Sequence, residues 1–288
     1  MDSFPSTLYK YLGPDRVDVL SDGLIRYSPL GAFNDPFEGQ PEIKALATDA
    51  QTREIFNAIL PQEARKAYDS LPLEKRAAIP YESWELLVSQ QMESKETYLL
   101  DFMRKSTPII QNLLSQKINE HLGAFCLSEV PDSLLMWSHY GVSHSGFVLA
   151  FDAKHPYFHE GKGPTDEFRH LRRVVYREAR PSAMLTEFKG VDIFLVKSGH
   201  WSYEREWRIF RALSDADSVH TLVPFDIHLF HYPSEALQSV IIGARASAQT
   251  AQSIVSAIRS KSSLRHVRLM RARPDDSNFL LRIANETI

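Results

Sequence analysis

Ile118-Asn119-Glu120-His121-Leu122-Gly123-Ala124-Phe125-Cys126-Leu127 is where the chain changes character. Upstream, from about Glu42 to His121, Ala, Leu, Glu, Lys and Gln dominate, glycine is absent and apolar residues recur at helical spacing. Pro61, Pro72, Pro80 and Pro108 are placed to separate or kink successive helices there. Downstream, Ala124–Leu127 reads as a buried strand. The helical stretch is therefore read as an insertion between two parts of a sheet. The expected fold is α+β: one domain over residues 1–288, with a mixed, split β-sheet drawn from residues 8–40 and 122–285 and packed beside the helices.

Outward from that junction the elements are short. Leu8–Leu12 alternates as a strand does, Pro14 opens a helix ending near Gly23, and Leu24–Tyr27 is a second strand. After the junction come a short helix over Asp132–Tyr140 and strands at Phe147–Phe151 and Arg172–Tyr176. A helix is expected over Ala183–Val196, although Gly190 weakens its middle. Glu204–Arg211 reads as a strand, as do Ser239–Gly243, Val267–Ala272 and Phe279–Ile283, and Ala248–Ser260 reads as a helix.

Composition excludes more than it identifies. Lys plus Arg number 33 and Asp plus Glu 36, a formal net charge of -3, which does not suggest a nucleic-acid glove or a polybasic membrane surface. Cys126 is the sole cysteine, so neither an intramolecular disulfide nor a cysteine-only zinc site is open to the chain. Met1–Thr7 carries neither a basic nor an apolar leader segment, and no apolar run approaches the roughly 20 residues of a membrane span. A cytoplasmic location is expected. The histidine pairs His139/His144, His155/His159 and His228/His231 lack the spacing and carboxylates of a zinc motif, so no metal is expected. Phosphate-loop, dinucleotide-binding and serine-hydrolase glycine motifs are absent.

The segment richest in chemistry is Trp201-Ser202-Tyr203-Glu204-Arg205-Glu206-Trp207-Arg208. On a strand, Glu204, Glu206, Arg208 and Phe210 would share one face, the two carboxylates roughly 7 Å apart. One would be pushed up in pKa unless Arg208 or another cation offset the repulsion. Trp201, Tyr203 and Trp207 form an aromatic wall suited to a planar ligand. A solvated charge ladder on an edge strand is the plainer alternative. Asn34-Asp35-Pro36-Phe37-Glu38 reads as a rigid Asx-type turn, or as a loop that points the Asn34 amide or the Glu38 carboxylate at a ligand. In Met136-Trp137-Ser138-His139-Tyr140-Gly141, Trp137 and Tyr140 cover neighbouring helix surface, and His139 sits at the favoured C-terminal end.

In order, Leu8–Tyr11, Asn34–Glu38, Met136–Tyr140 with Gly146 and Phe151-Asp152, Tyr176, and Lys197 with Trp201–Arg208 resemble the bacterial family catalogued as domain of unknown function 2971, over roughly Leu8 to Arg211. The opening strand, helix, Gly23 and strand, with Glu204-Arg205-Glu206 entering a late strand, are also similar to ADP-ribosyltransferase-like domains. Here Tyr9 and Lys10 stand in place of the usual first-strand His or Arg. That resemblance implies Glu206 as the catalytic carboxylate, Glu204 as its companion toward the acceptor, and Tyr9, Lys10, Asn34, His139, Tyr140 and Arg208 around NAD as co-substrate. Its implied acceptor is a nucleic acid or a protein, in the setting of a toxin or phage-defence effector. A metal-dependent nuclease using Asp35, Glu38, Glu204 and Glu206, and a non-catalytic nucleotide-binding module, stay open as alternatives.

Overall fold

Strand β1 (Thr7–Leu12) runs into a 3-10 turn and helix α1 (Asp18–Asp22), which ends on Gly23 in the left-handed region at φ +72°. A residue without Cβ occupies that cap at least strain. Strand β2 (Leu24–Pro29) follows. Then come β3 (Leu122–Ser128), α2 (Leu134–His139), β4 (Phe147–Asp152), β5 (Arg172–Arg173), β6 (Glu206–Ala212), β7 (Ser218–His220), β8 (Ile227–His231), β9 (Leu237–Ile242), α3 (Ala248–Ser260), β10 (Arg268–Pro274) and β11 (Leu281–Asn285). This computed structural model describes residues 4–161, 163, 166–188 and 190–286.

The chain divides into two compact units: Met1–Gln40, Lys117–Arg180 and Gly190–Ile288 form the first, and Pro41–Gln116 with Pro181–Lys189 the second. The first unit holds a mixed sheet of eleven strands in the order β7-β8-β2-β3-β1-β4-β9-β10-β11, with β6 and then β5 branching from β3. Only β9 and β10 run parallel; the remaining pairs are antiparallel. The branch is the decisive feature. β6 occupies one edge of β3 along its whole length, from Glu206 opposite Ser128 to Ala212 opposite Leu122. The other edge is shared: β2 pairs at Gly123 and Ala124, while β1 pairs only at Ser128. Between them the sheet splits, and residues Phe125–Leu127 have no strand on that edge.

Alternation along the strands sorts the core. Leu8, Phe125, Leu149, Phe151, Ile209 and Ile242 lie with Val19 and Leu20 of α1 and with Ile254, Ala257 and Ile258 of α3, all buried. Each such side chain contributes about 1.5–3 kcal/mol on removal from water. Tyr11, Val148 and Ile241 pack with Met136 and Trp137 of α2, and the Trp137 indole donates to the Pro131 carbonyl at 2.8 Å. Gly146 lets the loop before β4 close on β1, since a Cβ there would fall 2.0 Å from the Leu12 carbonyl oxygen.

The second unit is helical, as expected: Asp49–Asp69, Leu73–Ala78, Tyr81–Ser94 and Glu96–His121, the last crossing into the first unit. A capping box between Thr48 and Gln51 starts the first of these. Its only strand contact is the short parallel pair Glu42–Ile43 with Ser182–Ala183, separate from the large sheet. Pro72 and Pro80 sit at helix starts, but Pro61 and Pro108 lie within helices and do not end them.

Several expectations are corrected. Ala183–Val196 is not a helix: 3-10 turns at Leu185–Glu187 and Asp192–Leu195 are interrupted at Gly190, whose φ is +53°. Arg172–Tyr176 is two short strands, Arg172–Arg173 on β6 and Val175–Arg177 in parallel with Val196–Ser198. Strands β7 and β8, absent from the sequence reading, extend the sheet beyond β2. Most consequential, the strand starts at Glu206 and not at Glu204. Glu204 ends a 3-10 turn over Gly199–Glu204, and Arg205 reverses the backbone at φ 44°.

Candidate functional site

That reversal sets the geometry of the carboxylate pair. With Glu206 as the first residue of β6, Arg208 lies two residues on and on the same face, as strand alternation requires. Its guanidinium grips Glu206 in a fork, Nε to Oε1 at 2.8 Å and Nη2 to Oε2 at 2.9 Å, and gives Nη1 to the Phe194 carbonyl at 2.7 Å. Arg208 also pairs with Glu38, and both side chains are wholly buried. Glu204, off the strand, is tied down separately. Its carbonyl accepts from the Ser128 hydroxyl at 2.6 Å, and the Tyr176 hydroxyl accepts the Glu206 amide at 2.9 Å.

The three carboxylates converge on one ammonium. Lys197, from the short strand Val196–Ser198, places Nζ 2.6 Å from Glu204 Oε2, 3.1 Å from Glu206 Oε2 and 3.5 Å from Glu38 Oε2. The Trp201 ring lies 5.0 Å from the same ammonium. The remaining Glu204 oxygen accepts from the Tyr140 hydroxyl at 2.6 Å. Asn34 lines the same cavity as that tyrosine. Three buried carboxylates thus share the Lys197 ammonium and the Arg208 guanidinium, and the Lys10 ammonium also acts on Glu206 electrostatically.

The titration shifts follow from this burial. Burial, with the Glu204 charge beside it, pushes the Glu206 carboxyl up against the pull of Lys197. Burial pulls Lys197 down, but Glu206 and Glu204 outweigh it and the net shift is upward. Burial lowers Arg208 to about 9, which still leaves it charged at neutral pH. The Tyr140 hydroxyl is pushed up by burial and by Glu204, so it stays a donor. Burial likewise raises the Cys126 thiol, which is hydrogen-bonded to Glu206 and so remains protonated and a poor nucleophile.

A base whose folded-state pKa lies above its unfolded value contributes stability below the unfolded pKa and loses it as pH rises. Lys197→Met is therefore expected to melt below the wild type at pH 7–9. The gap should narrow above roughly pH 10.4, the ordinary lysine value. Melting curves of both proteins between pH 7 and 11 measure this, and a gap that stays constant to pH 11 would contradict it.

A cavity of about 200 Å³ opens where the sheet splits, lined in part by Tyr9, Lys10, Asn34, Tyr140, Glu204 and Glu206. Six of the eight residues singled out from the sequence thus meet there. The other two do not line it. Arg208 stands behind the carboxylates, fully buried, and His139 is exposed and bonded through Nδ1 to the Tyr203 hydroxyl at 2.9 Å. Asp35, a metal-ligand candidate, instead accepts the Phe37 amide at 2.9 Å in an Asx turn. That turn is the rigid Asx type expected, and it carries Glu38 to the cavity wall. Lys197, its hub, entered the sequence reading only through the family resemblance. A lone lysine among charged residues gives no other signal.

Among the described residues no group of His, Cys, Asp and Glu has the arrangement of a metal site, and no helix is long and apolar enough to cross a membrane. No curated protein and no solved structure matches the chain. Residues 136–209, which supply Tyr140, Tyr176, Lys197, Glu204, Glu206 and Arg208, match the family described as protein of unknown function (DUF2971).

Proposed function

We propose that the cavity cleaves the N-glycosidic bond of a ribosyl nucleotide of the NAD type, transferring the ADP-ribosyl group to a nucleic-acid or protein acceptor or to water. The observation that carries this reading is the pair of carboxylates, Glu204 and Glu206, held side by side at the cavity wall. Breaking the bond between C1′ and the pyridinium nitrogen sends the electron pair out with neutral nicotinamide. C1′ is left as an oxocarbenium ion, and a fixed negative charge in a water-poor site stabilises that developing positive charge. The leaving group needs no acid, and the wall offers none that the step requires. The acceptor adds at C1′ through its lone pair and passes its proton to the Glu204 carboxylate, which releases it to solvent.

The hydrogen bonds support a division of roles within the pair. Glu206 has both oxygens engaged by the Arg208 fork, with Lys197 and the Cys126 thiol in addition. Glu204 accepts one bond on each oxygen, leaving lone pairs for a ribose hydroxyl. We therefore assign the ligand-facing role to Glu204 and a positioning role to Glu206. A cavity of about 200 Å³ is smaller than the roughly 300–1,000 Å³ that holds a whole drug-sized ligand. It suits the ribosyl end, with the rest of the dinucleotide outside.

The nuclease alternative needs a divalent cation where the carboxylates converge, and the Lys197 ammonium already occupies that focus. Incubation with NAD labelled in the adenylate half, with and without cell extract, separates the readings. Transfer of label to macromolecules, or ADP-ribose release, is expected, unchanged by EDTA. Cleavage of nucleic acid that EDTA stops and magnesium or manganese restores, with NAD untouched, would overturn the proposal. Retention of NAD without turnover would reduce the protein to a binding module.

A further inference from the structure

We propose that the opening between β1 and β2 is an anion subsite in which Lys10 and Arg26, flanked by Arg16, hold a phosphoryl group. β2 leaves β3 after pairing Ser28 with Ala124 and Pro29 with Gly123. Continuing that register brings Arg26 level with Cys126, on the edge where no strand pairs. From the β1 side, the Lys10 ammonium reaches the same place and donates to the Cys126 carbonyl at 3.1 Å. Two cations from different strands therefore flank one gap, and Arg16 lies on the turn that links those strands.

Their charges are not matched. Arg16 has Asp18 at 3.3 Å. Neither Lys10 nor Arg26 has an ion-pair partner among the described residues, and the Arg26 Nε is buried with no hydrogen-bond acceptor. Glu206, which acts on Lys10 electrostatically, is already shared by Arg208 and Lys197. A buried donor without an acceptor is destabilising, the more so when it belongs to a charged group. Burial and neighbouring positive charge depress both groups: Lys10 feels Arg16 and Arg26, and Arg26 feels Arg16. A bound anion reverses every one of these penalties.

The chemistry of the donors selects the anion. A guanidinium fork beside an ammonium, with a third cation near, matches a tetrahedral dianion with several acceptor oxygens. Lys10 also lines the cavity that holds Glu204, and Ser28, two residues from Arg26 on the same face of β2, lines it too. A phosphoryl group in the gap would therefore sit on the same ligand as a ribosyl group at Glu204. Only that last link rests on the proposed glycosyl-transfer reading; the anion site stands on the gap and its charges.

Calorimetric titration of the full chain with inorganic pyrophosphate tests the subsite. The wild type should bind it saturably, and more weakly as salt rises. Arg26→Gln and Lys10→Gln should each weaken binding about tenfold or more, the loss of a charge-assisted hydrogen bond. Arg26→Lys, which keeps the charge, should retain most of the binding and serves where the glutamine variant does not fold. Absence of saturable binding, or equal binding by the wild type and both glutamine variants, overturns the subsite. Pyrophosphate binding that depends on Arg26, in a protein that never consumes NAD, would leave the subsite standing and remove the glycosyl-transfer reading. Turnover that needs Glu204 without pyrophosphate binding would do the reverse.

Discussion

Replacing Arg208 by methionine is expected to destabilise the protein by about 3–5 kcal/mol, the usual result of removing one partner from a buried ion pair. Arg208 is wholly buried, and its fork is the only contact that engages both Glu206 oxygens. Without it, Glu38 and Glu206 would lose their guanidinium partner and would share the Lys197 ammonium with Glu204. The Phe194 carbonyl would also lose its donor. The carboxylates can escape only by taking up protons, so the deficit should shrink as pH falls from 7 to 5. Arg208→Lys should fall between, since an ammonium keeps the charge but cannot form the fork. Urea unfolding of the three proteins at both pH values measures this. An Arg208→Met variant within 1 kcal/mol of the wild type would show that the network is not a stabilising unit.

Glu204→Gln is expected to do the opposite: to spare stability and remove activity. Deleting one carboxylate leaves Glu38 and Glu206 against Lys197 and Arg208, an even balance of charge. The Gln carbonyl can still accept from Tyr140, and Lys197 keeps two carboxylate partners. Stability should therefore change by no more than about 1 kcal/mol, the scale of one neutral hydrogen bond. The reaction loses the charge opposite its oxocarbenium ion. That should cost about 2.7–4 kcal/mol, or a hundredfold to a thousandfold in rate, by analogy with other preorganised electrostatic sites. Glu206→Gln should lose both activity and stability, since it frees Arg208 in the interior. This split between neighbouring residues would not arise if the pair were a solvated charge ladder.

How far the sequence alone reaches can be judged residue by residue. Helix Ala248–Ser260 was readable because Ser247 caps it and its apolar face repeats at helical spacing. Gly23 was readable because a left-handed cap favours glycine. The loss of glycine over residues 42–121 marked the helical unit. What escaped was set by long-range contact. Arg205 adopts a left-handed conformation that an arginine gives no reason to expect, and that single reversal takes Glu204 off the strand. Strands β7 and β8 are three and five residues long and carry Ser218, His220, His228 and His231, so only the pairing of β8 with β2 and of β7 with β8 reveals them. The split of the sheet is a matter of register between strands whose paired residues, such as Ser28 with Ala124 and Tyr9 with Ser128, lie far apart in sequence, and no local pattern records it. The convergence on Lys197 was hidden for the same reason.

Nicotinamide release from NAD by the wild type and by Glu204→Gln, side by side and with matched melting temperatures, tests the central claim most directly. Release by the wild type in the presence of an acceptor extract, reduced at least a hundredfold in the variant, is the predicted result. Equal release by both proteins, or none from the wild type under any acceptor condition, would contradict the assignment of Glu204 to glycosyl-bond chemistry.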